Sequence, residues 1–100
     1  MKKQVLALMT ASIMAVSVNA VAGDAAAGKA KAATCAACHG MDGISKMPIY
    51  PNLKGQKQAY LAKQMKAFRD GTRKDPTMNA MAKPLTDADI DNLSAFFAGL

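Results

Sequence analysis

The residues in this chain best equipped for chemistry are two thiols and one imidazole, which stand together as Cys35-Ala36-Ala37-Cys38-His39. On a helix, thiols three positions apart lie about one turn apart. Each can add to one of the two vinyl groups on a haem edge, and the next residue then turns its imidazole towards the iron. Cys-x-x-Cys-His is the spacing of c-type haem attachment. Other chemistries fit less well. A thioredoxin-like dithiol needs a βαβ setting, and the sequence has no alternating strand pattern. A structural zinc site needs four ligands. With two cysteines and one histidine in the chain, the fourth would have to be an isolated Asp. A chance motif would have to coincide with the export signal and the helical pattern described below.

His39 is the single histidine. Two-histidine ligation of an iron within one chain is therefore excluded, and the sixth ligand is a methionine, a weaker group or nothing. Methionine opposite histidine raises the potential of a haem iron. The methionines after residue 22 are Met41, Met47, Met65, Met78 and Met81. Met41 is too near His39 to cross to the other haem face. Met65 falls on an apolar helix face and reads as core. Met47 precedes Pro48 in a first loop. Met78 and Met81 lie in a second loop, tethered between two helices, where a strap over the opposite haem face belongs. Sulfur ligation alone does not choose between these two.

The surrounding elements read as helices. Asp24 is an N-cap candidate for a helix running through about Thr34, rich in alanine. Cys35 to His39 ends it, with Gly40 as the breaker. Gly28 in its middle is costly for a helix, which points to a close approach by another element. Residues 41–56 carry turn signals at Asp42-Gly43, Pro48, Pro51-Asn52 and Gly55. A second helix is expected from about Gln58 to Asp70, with Leu61, Met65 and Phe68 on one face and Gly71 as its stop. Residues 72–85 read as a second loop between Pro76 and Pro84. Thr86-Asp87-Ala88-Asp89 resembles a capping box and opens a last helix, lined by Ile90, Leu93, Phe97 and Leu100 and widened by Phe96. The class is all-α, with three to four main helices.

The N-terminus reads as an export signal. Met1-Lys2-Lys3 is basic, Val5 to Val18 carries no charge, and small-x-small patterns end at Ala20 and Ala22. Cleavage after Ala20 or Ala22 is expected, giving a signal over residues 1–22 and a domain over residues 23–100. The apolar stretch is too short to favour a spanning anchor, so stable membrane insertion is not expected after cleavage. With Lys2 and Lys3 removed, the formal charge of +6 becomes +4. The lysines are scattered, a poor pattern for nucleic acid and a workable one for docking an acidic protein. So short a domain, rich in Ala and without Trp, buries little apolar surface by itself. A bulky apolar cofactor would make up the shortfall.

These residues together resemble the class I cytochromes c, in particular the small monohaem bacterial kind, similar to one half of the dihaem periplasmic cytochromes. The resemblance covers essentially the whole expected domain. It rests on Gly23-Asp24-Ala25-Ala26-Ala27-Gly28, on Cys35 to Gly40, on Pro48 to Gln56, on Phe68 to Arg73, and on Met78-Asn79-Ala80-Met81 followed by Leu85-Thr86-Asp87. It implies a fold wrapped around one covalent haem c, with thioethers at Cys35 and Cys38 and His39 as the proximal iron ligand. It implies Met78 as the distal ligand, with Met81 as the rival, because in similar proteins the ligand precedes the final helix by this much. It implies that the Pro48 carbonyl accepts the Nδ1 proton of His39. Gly28 would let the first helix cross the last against Phe96 or Phe97. Tyr50, Gln56 and Arg73 become candidates for propionate contacts, with ordinary loop roles as the alternative.

The function implied is that of a periplasmic electron carrier rather than an enzyme, and a monomer is expected. Its partners would be redox proteins: a membrane respiratory complex, a terminal oxidase or a periplasmic reductase. Lys46, Lys54, Lys57, Lys63 and Lys83 would border its docking surface, or simply be solvated. Two other readings stand beside it. An iron with an open or labile sixth site would act as a peroxidase or bind gas. A haem-free chain would be a thiol–disulfide protein.

Overall fold

The computed structural model describes residues 22–100, and the expected signal segment lies outside the described residues save for Ala22. Five helices follow in order: α1 (Ala25–Lys31), α2 (Ala33–His39), α3 (Gln58–Asp70), α4 (Pro76–Ala82) and α5 (Asp87–Ala98). Among the described residues there is no strand. The all-α expectation holds, with two changes of detail.

The first change divides the expected N-terminal helix. Ala32 takes φ −74° and ψ −8°, and its N–H reaches back only to the Lys29 carbonyl at 3.2 Å. This tight, 3₁₀-like step ends α1, and α2 restarts at once with the cysteines on it. The second change is α4, a helix inside the stretch read as a loop. Asp75 caps it, accepting from the Met78 N–H at 3.0 Å, and Pro76 occupies its first turn. A proline there loses no helical hydrogen bond and already has a helical φ. The Asp75-Pro76 pair is thus a helix start as well as a turn signal.

Helix α1 crosses α5 so closely that a Cβ on Gly28 would overlap the Asn92 carbonyl and lie 2.9 Å from the Phe96 Cβ. Only glycine fits this crossing. Three polar contacts accompany it. The Asp24 side chain caps α1 by accepting from the Ala26 N–H at 2.9 Å. The Asp24 N–H donates to Asn92 Oδ1 at 2.8 Å. Lys31 lies 3.6 Å from Asp89.

The first turn of α5 is held by the anticipated capping box. Thr86 Oγ1 accepts from the Asp89 N–H, and Asp89 Oδ2 accepts from the Thr86 N–H, both at 3.0 Å. Ile90, Leu93, Phe96 and Phe97 are buried as the helical spacing requires. Leu100, past the helix end, is 38 % exposed and leaves the expected stripe. Ala32, Leu61, Leu93, Phe96 and Phe97 form one core cluster, with Met65 packed at its margin. Helix α3 lies between α5 and α4 and ends at Gly71, in the left-handed conformation at φ 81°.

Arg69, in the last turn of α3, joins three elements. Its guanidinium donates to Asp87 at 2.7 Å, to Asp70 at 3.1 Å and to the Leu85 carbonyl at 3.3 Å. The hydrogen bond and charge of Arg69 hold the Asp87 carboxyl below the usual carboxylate range. The contribution of this pair is therefore complete above about pH 4 and fades as pH falls through the lowered pKa. Asp87→Asn should lower the melting temperature of the holoprotein at neutral pH. The difference from wild type should shrink as pH falls below about 4. Melting curves across pH check this, and a constant gap would contradict it.

Ser94 is fully buried on α5, and its hydroxyl has no hydrogen-bond partner among the described residues. Burial without a partner costs free energy. Ser94→Ala should stabilise the holoprotein by about 1 kcal/mol. Gly28→Ala should cost about 3 kcal/mol by forcing the α1–α5 crossing apart. Denaturant titrations of the two variants measure both; equal stabilities would contradict this account of the core.

Candidate functional site

Helix α2 carries all three residues of the motif. Its seven residues end at Gly40, whose N–H bonds to the Ala36 carbonyl at 3.0 Å. Cys35 and Cys38 therefore sit one turn apart, both half-buried and unbridged. Cys35 packs at the margin of the core cluster, as do Leu53, Met65 and Leu85. Burial pushes its thiol pKa up. Reactive dithiols need the opposite shift, because the thiolate is the nucleophile.

His39 closes α2 and is buried, with 7 % of its surface exposed. Its Nδ1 lies 2.8 Å from the carbonyl oxygen of Pro51. A carbonyl only accepts, so Nδ1 carries the proton and Nε2 is left as the nitrogen that can bind a metal. This corrects the expectation that the Pro48 carbonyl takes the proton. Pro48 sits inside a tight turn closed by the Tyr50 N–H on the Met47 carbonyl at 3.1 Å, and the next residue, Ile49, is 74 % exposed. The chain then returns, and Pro51 is the residue that passes the imidazole. Its position is secured just downstream. Asn52 Oδ1 accepts from the Ser45 N–H at 2.8 Å, and the Gly43 carbonyl accepts from Leu53 and Lys54 at 2.8 and 3.0 Å. Both prolines lie in the loop that the sequence marks out. Asn52, able to fasten the loop to itself, was the available signal for Pro51.

Tyr50 stands edge-on to His39 with ring centroids 6.4 Å apart. Of the other propionate candidates, Gln56 is exposed. Arg73 is committed elsewhere: its guanidinium lies 4.5 Å over the Phe68 ring and donates to Gln64 at 2.8 Å. A cavity of about 490 Å³ opens beside α2 over Ala36, Ala37, Cys38 and Met41. A second, of about 340 Å³, lies between Ser45, Met47, Pro48 and Tyr50.

The two methionines of the expected strap are on α4. Successive helical residues turn by about 100°, which puts Met78 about 40° and Met81 about 100° from Ala82. Ala82 is fully buried, Met78 is half-buried and Met81 is 45 % exposed. Met78 therefore borders the inward face of α4, and Met81 turns away from it. Met41 and Met47 are exposed in the first loop.

The donor set suits a haem. There are two thiols a turn apart, an imidazole with its Nδ1 tied, and a core cluster that Cys35, Leu53, Met65 and Leu85 all pack against. Among the described residues, no group of three or more His, Cys, Asp or Glu side chains could hold a bare metal ion. No described helix is long and apolar enough to cross a membrane.

Known proteins agree with this site. The cytochrome c family model matches residues 25–100. Cytochrome c-554(548) of Halomonas halodenitrificans is 51% identical over 71 residues, which cover 68% of this chain and 86% of that protein. The thiosulfate dehydrogenase electron acceptor of Thiomonas intermedia is 41% identical over 71 residues, covering 70% of this chain and 33% of the relative. The crystal structure of reduced cytochrome c4 from Pseudomonas stutzeri superposes with a TM-score of 0.72 at 42% identity, over 76% of this chain and 45% of that one. The chain thus spans less than half the length of the last two. Motif, fold and relatives converge: this chain belongs to the cytochrome c family, built on the class I fold around covalently bound haem c.

Proposed function

We propose that this protein is a periplasmic electron carrier whose single haem c is bound through Cys35 and Cys38 and ligated by His39 and Met78. The carrying observation is the His39 imidazole, buried at the end of α2 with Nδ1 held by Pro51 and Nε2 left for iron. Bound there, haem supplies a one-electron iron couple. The Pro51 carbonyl fixes the ring plane and makes the imidazole a stronger donor. Helix α2 presents both thiols one turn apart for the thioether bonds. Met78, at the edge of the buried face of α4, is better placed than the exposed Met81 to supply the thioether sulfur.

With His39 and Met78 both given to the iron, no position would remain for a substrate, which would distinguish a carrier from a peroxidase or a gas-binding protein. The absence of strands among the described residues weighs against the thiol–disulfide reading, which needs a βαβ setting. The relative from Thiomonas intermedia is by name an electron acceptor, which supports redox proteins as partners here. A respiratory membrane complex, a terminal oxidase or a periplasmic reductase fits that role, met by a monomeric domain of residues 23–100 after loss of the signal.

Ferric spectra test the ligands. The holoprotein should show a sulfur-to-iron charge-transfer band that Met78→Ala abolishes and Met81→Ala keeps. The reverse pattern would overturn the ligand assignment. A wild-type protein without the band would point to an open or labile sixth site.

A further inference from the structure

Helix α4 is short, and α3 is its main neighbour. The polar part of that contact comes from one side chain, Asn79, next to Met78. Its Nδ2 donates to the Phe68 carbonyl at 2.7 Å and to the Arg73 carbonyl at 2.9 Å. Its Oδ1 accepts from the Asp75 N–H at 2.9 Å. Both amide hydrogens and the amide oxygen are thus engaged. The first two bonds fasten α4 to the C-terminal turn of α3 and to the loop leaving it. The third fastens α4 to its own cap, because Asp75 in turn accepts from the Met78 N–H at 3.0 Å. The Asn79 amide oxygen thus caps the Asp75 N–H while the Asp75 carboxylate caps the Met78 N–H, so the two bonds tie Met78 to Asn79 through Asp75.

The helical positions give this clamp a direction. Ala82, the buried residue of α4, lies between Met78, about 40° to one side, and Asn79, about 60° to the other. Turning α4 about its axis would break the Asn79 bonds and swing Met78 away from the inward face together. A thioether is a weak, neutral ligand, so its hold on iron depends on how firmly the helix that presents it is oriented.

We infer that Asn79 is a positioning residue for the distal ligand: it sets the rotation of α4 on α3 and so holds Met78 against displacement. This rests on the ligation proposed above. Opening of the strap is read by imidazole, which binds ferric iron only when the thioether has left. Its apparent affinity reports the fraction of open molecules.

The test uses the holoprotein. Asn79→Ala should bind imidazole about tenfold more tightly, the effect of one or two ordinary hydrogen bonds. Ile90→Val, a core truncation away from α4, should leave imidazole affinity unchanged although it lowers stability. In wild type the Asp75 amide should exchange slowly with solvent, and in Asn79→Ala quickly. Where Asn79→Ala yields no holoprotein, Asn79→Asp is read the same way; it keeps the acceptor for Asp75 but loses both donors. Unchanged imidazole affinity, in a protein whose charge-transfer band requires Met78, would overturn the clamp alone. An equal gain in Ile90→Val would reduce Asn79 to a general stability role and overturn it too. A band that survives Met78→Ala would instead overturn the ligand reading beneath it.

Discussion

The close crossing of α1 and α5 at Gly28 is the constraint on which the other placements depend. Helix α5 carries most of the buried aromatic and aliphatic surface, and it can meet α1 backbone to backbone only because one residue lacks a Cβ. Each face of that crossing has a further consequence. On one side α1 passes through the tight step at Ala32 into α2, so the crossing decides where the two thiols and the imidazole begin. On the other side α5 seats α3, and α3 seats α4, which carries the methionines. The two proposed iron ligands thus belong to opposite ends of one chain of contacts: α2–α1–α5–α3–α4.

The two ends are held by different means. His39 is the last residue of α2, and its ring is fixed by a carbonyl twelve positions later in the chain. That carbonyl is itself fixed by a loop bonded to its own backbone at Gly43 and Asn52. Helix α4 has little apolar area to offer, with Ala82 its one buried residue. It is held instead by polar bonds on the α3 turn and by the cap at Asp75. Such a division matches the proposed ligation: a strong, buried nitrogen ligand that stays in place, and a weaker sulfur whose hold depends on its helix.

The reach of the sequence follows from the range of the interactions involved. Helices α3 and α5 were legible because each has an apolar face at helical spacing and a local stop or start, Gly71 for one and the Thr86–Asp89 box for the other. The motif at Cys35–His39 was legible because its spacing is the chemistry. Gly28 was legible as a misfit, a poor helix residue with no local reason to be there. Helix α4 was missed because Pro76 was read as a loop boundary, although Asp75 before it makes it a first-turn proline. The resemblance points to Pro48 as the partner of His39, and the structure gives that place to Pro51 in the same loop. The choice between them rests on a turn at Met47–Tyr50 and a side-chain bond from Asn52, which only the folded loop displays. The contacts of Asn79 join segments six and eleven residues away, and no local pattern announces them.

The central claim is that His39 and Met78 together fill the axial positions of one haem. The most direct measurement is proton NMR of the ferrous holoprotein. The ring current of the haem moves the S-methyl of a bound methionine far upfield of all other methyls. The account predicts a single such resonance, connected through its spin system to Met78. An upfield methyl that assigns to Met81, or a ferrous spectrum with none, would contradict it.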